Sequence, residues 1–229
     1  MYRFFSVVAT AVAVAFGVCA NDYKLEIKDF DELNVTDGIN VEYHCSADSA
    51  GWAYFSCAPE LSSKLLFTNN KSKLHIQVDL TDGAINDLPT LHVYSSSLKK
   101  VENSSDSTIT VVSNVVIPSL NIKVIGNGAI IANNIQAGAV NATINTGKGH
   151  IVISGTAGTA KYTNVGTGTI EAGGLNVPNV KVHVLGTGSI DCTATKSLSI
   201  YGAGSGKVYY AGNPENVTNR SLGVKATSM

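Results

Sequence analysis

The residues of this sequence whose types and spacing can do chemistry begin with a set of glycine pairs: Gly126 and Gly128, Gly147 and Gly149, Gly166 and Gly168, Gly186 and Gly188, Gly204 and Gly206. A Gly-x-Gly loop is where backbone N–H groups can cradle a phosphate, provided that a helix opens behind it and aims its N-terminus at the anion. Here no copy reaches the third glycine of Gly-x-Gly-x-x-Gly, none opens a helical pattern, and no Gly-x-x-x-x-Gly-Lys-[Ser/Thr] loop occurs. Phosphate chemistry is therefore excluded as the reason for the glycines.

The pairs belong to a repeat. The frame Gly-x-Gly-x-[Ile/Val] appears as GNGAI, GKGHI, GTGTI, GTGSI and GSGKV, with SDSTI at 105–109 as a degenerate first copy. Its β-branched anchors are Ile109, Ile130, Ile151, Ile170, Ile190 and Val208, a spacing of about 20 residues that signals a solenoid. Two residues beyond each anchor lie Val111, Ala132, Ile153, Ala172, Cys192 and Tyr210, on the same strand face. Upstream, Leu120 and Ile122, Ala160 and Tyr162, Val180 and Val182, and Leu198 and Ile200 mark a second inward strand per coil, with Val140, Ala142 and Ile144 shifted by one. Each coil is expected to hold two short strands and two turns, with Gly-x-Gly as a corner where glycine takes φ > 0 and lets neighbouring coils approach. Cys192 falls in the inward column and reads as a buried free thiol.

Stacking the coils places Glu171 and Asp191 in one outward column, a ladder spacing of ~4.8 Å apart. Such carboxylates either splay into solvent, share a proton, are neutralised by a lysine such as Lys207, or hold a cation such as Ca²⁺. They are the weak metal candidate and the centre of any catalytic reading, because sugar-cleaving β-helices need paired acids with Arg or Lys on one face. Between 104 and 212 the only acids are Asp106, Glu171 and Asp191, and arginine is absent. No catalytic residue and no cofactor is assigned. The five histidines, His44, His75, His92, His150 and His183, fall on polar phases or turns of separate segments, and their spacing offers no convergence for a metal.

Weak ligand-binding candidates are the exposed aromatics Trp52 and Tyr54, which with Phe55 either stack on sugar rings or cap the end of the solenoid, and the corner residues Asn127, Thr167 and Thr187. Cys45 and Cys57 flank a turn signal at Asp48–Gly51, compatible with a disulfide across a hairpin.

Composition frames these residues. With 44% hydrophobic and 14% charged residues and 22 glycines, the chain reads as an all-β protein with a real core. Residues 1–20 have Arg3, an uncharged run over 4–16, and Val18 and Ala20 at a small-residue cleavage pattern, which reads as a secretory signal; a competing reading makes Cys19 a lipid-bearing anchor. No later stretch is long and apolar enough to span a membrane as a helix. Cleavage removes Arg3 from the 16 basic residues, leaving 15 against 17 acidic, and the one remaining arginine is Arg220. That excludes nucleic acid as a partner. Residues 21–100 show clean strand alternation, as in Val41, Tyr43 and Cys45 against Glu42 and His44, and PELSSKLL at 59–66 suits one helical turn starting at Pro59. The expected organisation is a signal over 1–20, an N-terminal β segment over 21–100 packed on or continuing the solenoid, repeats over 101–212, and a cap or tail over 213–229.

FDELNVTDGINVEYH at 30–44, PELSSKLLFTNNKSKLHIQV at 59–78, the Gly-x-Gly-x-[Ile/Val] coils and YYAGNP at 209–214 together resemble the head GIN domain family of exported bacterial adhesins of the Bacteroidetes. The resemblance implies a right-handed parallel β-helix, pectin-lyase-like in shape, with adhesion as the role and no catalytic residues to carry over; Cys45 and Cys57 lie outside its pattern. The expectation is an exported, non-enzymatic protein of the periplasm or cell surface that binds glycan or a surface protein, against a carbohydrate-active enzyme or a structural envelope scaffold on the same fold.

Overall fold

A computed structural model describes residues 20–229 apart from 82, 84, 86 and 113; the signal expected over 1–20, Ala20 aside, and the Cys19 alternative lie outside the described residues. The described residues contain one helical turn, α1 (Pro59–Ser62), with Pro59 at its start, and seventeen strands joined in one sheet. The sheet coils on itself into a parallel β-solenoid.

The repeat forms β8 (Lys100–Asn103), β9 (Thr108–Val111), β10 (Val115–Val124), β11 (Ala129–Ile144), β12 (His150–Gly166), β13 (Thr169–Gly186), β14 (Ser189–Gly204) and β15 (Lys207–Ala211). The anchors stack in register: Ile109 faces Ile130, then Ile151, Ile170, Ile190 and Val208. All six are fully buried. The upstream column stacks as Val101, Ile122, Ala142, Tyr162, Val182 and Ile200. The one-residue slip expected at Val140, Ala142 and Ile144 leaves this ladder intact, because the extra residue is absorbed before the corner at Gly147.

One expectation needs correction. Each full coil is a single bent strand of 16–18 residues rather than two short ones. In β13 the inward positions come in three runs, Ala172 closing one, Leu175 and Val177 forming the next, Val180 to Val184 the last, with register shifts between them. Around Gly173–Leu175 and at Pro178 the pairing to β14 lapses and then resumes in a shifted register. Residues 213–229, expected as a cap or loose tail, contribute β16 (Asn216–Leu222) on β14 and β17 (Lys225–Ser228) on β15, a further coil of the same ladder. Its strands are exposed almost throughout, and among the described residues each pairs on one side only.

The paired glycines answer to two different constraints. The first of each pair has positive φ, +133° at Gly166 for example. The second is fixed by space: a Cβ at Gly188 would fall 2.4 Å from Asn164 Nδ2 and 2.6 Å from the Gly168 carbonyl oxygen. Asn164 is itself an unforeseen piece of the corner, a fully buried amide between Ile144 and Val184 in an apolar column. Its Nδ2 donates to Gly168 O at 2.7 Å and Ser189 O at 3.3 Å, tying its own corner to the next coil. Asn103 does the same three coils earlier, donating to Ser107 O and Ala129 O.

The N-terminal segment continues the solenoid, out of chain order. β2 (Glu32–Val35) pairs in parallel with both β8 and β6 (Lys73–Val78), and β3 (Val41–Cys45) with both β9 and β7 (Leu91–Ser95). The coil made of β6 and β7 is therefore outermost, although the chain reaches it after the β2–β3 coil. A short crossover, 96–99, carries the chain back past that level. Asp29 and Asp31 hold it there: Ser96 N donates to Asp29 Oδ1 at 3.0 Å, and Lys99 N to the Asp31 carbonyl at 2.7 Å. The outer end is closed by antiparallel strands, β5 (Leu65–Asn70) on β6, β4 (Trp52–Cys57) on β7, and β1 (Asn21–Glu26) on β4.

Candidate functional site

Along a strand, alternate side chains face outward, and the parallel register turns each outward position into a row across the coils. One such row runs Tyr54, His92, Glu42, Thr110, Ile131, Val152, Glu171, Asp191 and Tyr209. The row beside it at the N-terminal end runs Trp52, Tyr94 and His44. Two strands from the solenoid and one from its closing strands thus gather three aromatic rings, two imidazoles and a carboxylate on one outer face.

Here the rings contact each other. Tyr54 meets Tyr94 edge-on at 5.4 Å between centroids, His44 stacks on Tyr94 at 4.6 Å and 11°, and the Lys24 ammonium lies 4.1 Å over Trp52 and 5.5 Å over Tyr54. Tyr54 and His92 also line a shallow groove with Asp22, Tyr23, Phe55, Ser56 and Thr90. Trp52 and Tyr54 therefore do two things at once: their strand closes the solenoid's end, and their side chains enter the outward patch. Within it, His92 Nδ1 is 3.1 Å from Glu42 Oε2, and His44 Nε2 is 3.9 Å from the same oxygen. Burial and then the neighbouring His92 hold the pKa of His44 below its ordinary value, against the raising effect of Glu42. Sequence spacing does not show this convergence, because Glu42 and His92 are 50 positions apart and meet only through parallel pairing of β3 with β7.

Glu171 and Asp191 are direct ladder neighbours, as the repeat requires. They have different surroundings. Glu171 Oε1 lies 3.1 Å from His150 Nε2, so the side chain beside it is an imidazole on the adjacent coil rather than Lys207. Asp191 folds its carboxylate over Gly173, whose hypothetical Cβ would lie 2.6 Å from Oδ2. Its Oδ1 is buried without a hydrogen-bond partner. Burial, and then the Glu171 charge, raise the Asp191 pKa. Cys192 is fully buried, its thiol pushed up to about 12 by burial and then by Asp191.

The corner residues hydrogen-bond within the corners. Asn127 Oδ1 accepts from Lys148 N, Thr167 Oγ1 donates to Gly147 O, and Asn127, Thr167 and Thr187 are all exposed. The disulfide expected between Cys45 and Cys57 is absent: both are free thiols. Cys45 sits opposite Ser95 at the end of β7, whereas β4 runs antiparallel along β7 and carries Cys57 beyond its start. At ~3.3 Å per residue the register separates them by roughly 20 Å along the strands, several times what a disulfide spans. The segment between them is two sides of a three-strand arrangement around β7, not a closed hairpin.

A second shallow groove lies on another face, lined by Lys161, Lys181, Val182, His183 and Tyr201.

The profile of the family described as "putative auto-transporter adhesin, head GIN domain" matches residues 29–214. The chain belongs to the head GIN domain family. Solved structures similar to this head GIN chain include an adhesin, so described as putative, from Bacteroides fragilis, at 21% identity and TM-score 0.84, covering 90% of this chain and 95% of that one. Another such adhesin, from Parabacteroides distasonis, is 22% identical at TM-score 0.71 over 90% and 96% of the two chains. A protein of the same organism described as a putative lipid binding protein is 18% identical at TM-score 0.65, over 90% and 96%. No curated protein gives a significant match. At these identities the likeness establishes that the head GIN fold is shared.

Proposed function

We propose that this head GIN chain is an exported, non-enzymatic binding protein of the cell envelope, and that it holds a glycan or a surface protein on the outward face of its N-terminal coils. The observation that carries the reading is the row register that sets Trp52 beside Tyr94 and Tyr54 beside His92 on one outward sheet face. Aromatic rings with an apolar body and a polar edge are the side chains that bind sugar rings and protein surfaces while staying soluble. The family's description as adhesins and the adhesins among the similar structures support the same class of role.

The rival class is a carbohydrate-active enzyme centred on Glu171 and Asp191. A general acid and a base or nucleophile must flank a bound sugar. In this structure the two carboxylates lie side by side on a ladder, one beside His150 and the other folded over Gly173.

Purified chain incubated with a panel of acidic and neutral polysaccharides separates the classes. Retention without release of products is expected, and the double substitution Trp52→Ala/Tyr54→Ala should weaken retention by about tenfold or more, as loss of aromatic anchors does. Release of cleaved products that Glu171→Gln abolishes would establish the enzyme instead.

A further inference from the structure

The geometry points to a binding site for one divalent transition-metal ion, zinc foremost, formed by Glu42, His44 and His92. Glu42 and His44 are two residues apart on β3 and so share its outward face, and β7 sets His92 opposite Glu42. One ligand atom from each side chain can be chosen such that all lie within 4.8 Å of one another. In a tetrahedral zinc site with bonds of about 2.0–2.2 Å, neighbouring ligand atoms are about 3.3 Å apart. The pair His92 Nδ1 and Glu42 Oε2 already has that separation, at 3.1 Å, and His44 Nε2 needs to close from 3.9 Å. Closing that difference falls to the Glu42 and His92 side chains, with the His44 ring held against Tyr94 and the backbone by the ladder.

Two further features favour an ion over a simple histidine–carboxylate pair. The His44 ring is fixed flat against Tyr94, which sets its direction before any ion arrives, as supporting contacts do in built metal sites. His44 Nε2 is buried and has no hydrogen-bond partner, a costly state for a polar atom that a metal bond relieves. Two imidazole nitrogens and one carboxylate oxygen form a borderline set that suits zinc, copper or nickel and is poor in oxygen for calcium or magnesium. With three protein ligands on an outward face, the fourth position is left open to water or to a donor from a bound molecule.

The site lies on the outward face that the adhesion reading uses, but the inference does not depend on that reading, and its test uses no glycan. Untagged full-length chain, stripped with chelator, is titrated calorimetrically with zinc near neutral pH. One equivalent is expected to bind, with calcium and magnesium unable to displace it. Cobalt in place of zinc should give a visible spectrum of nitrogen and oxygen ligation, without the sulfur charge-transfer band that a thiolate such as Cys45 would add. His44→Asn and His92→Asn should each weaken binding by more than about tenfold, since even supporting residues of metal sites cost about 10–100-fold. His150→Asn and Cys45→Ser should leave binding unchanged. All these positions are on the surface or at a strand end, and circular dichroism checks that each variant keeps the parent's fold. No stoichiometric binding by the parent chain, or full affinity in a folded His44→Asn/His92→Asn variant, overturns the proposal.

Discussion

At the scale of single residues, Asp191 shows how a ladder changes a side chain's chemistry. A carboxylate that is part-buried, has an unpartnered Oδ1 and stands next to Glu171 has its protonated form favoured in the fold. Its native pKa is raised, so its contribution to stability is fully present below the ordinary carboxylate range and is lost as pH rises through the raised value. Asp191→Asn should therefore raise the melting temperature at neutral pH relative to the parent chain. The difference should shrink towards zero as the pH falls below about 4. Thermal melts of the two chains across that range check it, and a difference independent of pH would show that the charge is not its cause.

At the scale of elements, the corner is the unit that matters. The Gly-x-Gly pair, the buried Asn164 amide and the following strand are one assembly: Nδ2 holds Gly168 O and Ser189 O, and Gly188 leaves the room for it. Gly188→Ala should destabilise by about 1–3 kcal/mol, the cost of displacing a buried hydrogen-bonded amide and crowding a packed corner. Because its Cβ strikes Asn164 as well as the Gly168 carbonyl, the double variant Gly188→Ala/Asn164→Ala should lose less than the two single variants together. A double-mutant cycle by denaturant unfolding measures that coupling. Simple additivity would mean that the two residues act apart. The glycine frame was legible in the sequence, but Asn164 was not, because a polar residue in an apolar alternation looks like a break until its partners four and twenty-five positions on are seen to be carbonyls.

At the scale of the molecule, the two ends differ. The N-terminal end is closed by three antiparallel strands, whereas the last coil, β16 and β17, is exposed almost throughout. Hydrogen exchange should follow this gradient, slowest in β12 to β14, where each strand is covered on both sides, and fastest in β16 and β17. Exchange measured by peptide mass spectrometry gives the profile directly, and equal protection in the last coil and the middle ones would show that the solenoid opens only as a whole.

What the sequence determined by itself is what repeats locally: the period near 20, the inward anchors from Ile109 to Val208, the corner glycines, and the adjacency of Glu171 and Asp191, which follows from period and alternation alone. What only the tertiary structure decided is what depends on pairing between distant segments. The β6–β7 coil lies outside the β2–β3 coil that precedes it in the chain, and nothing in local alternation states the order in which strands without a repeat will stack. That order separates Cys45 from Cys57, and it brings His92 against Glu42 and Tyr94 against His44. Side-chain alternation fixes which face a residue takes, but backbone hydrogen bonding across 50 positions fixes which residue stands next to it.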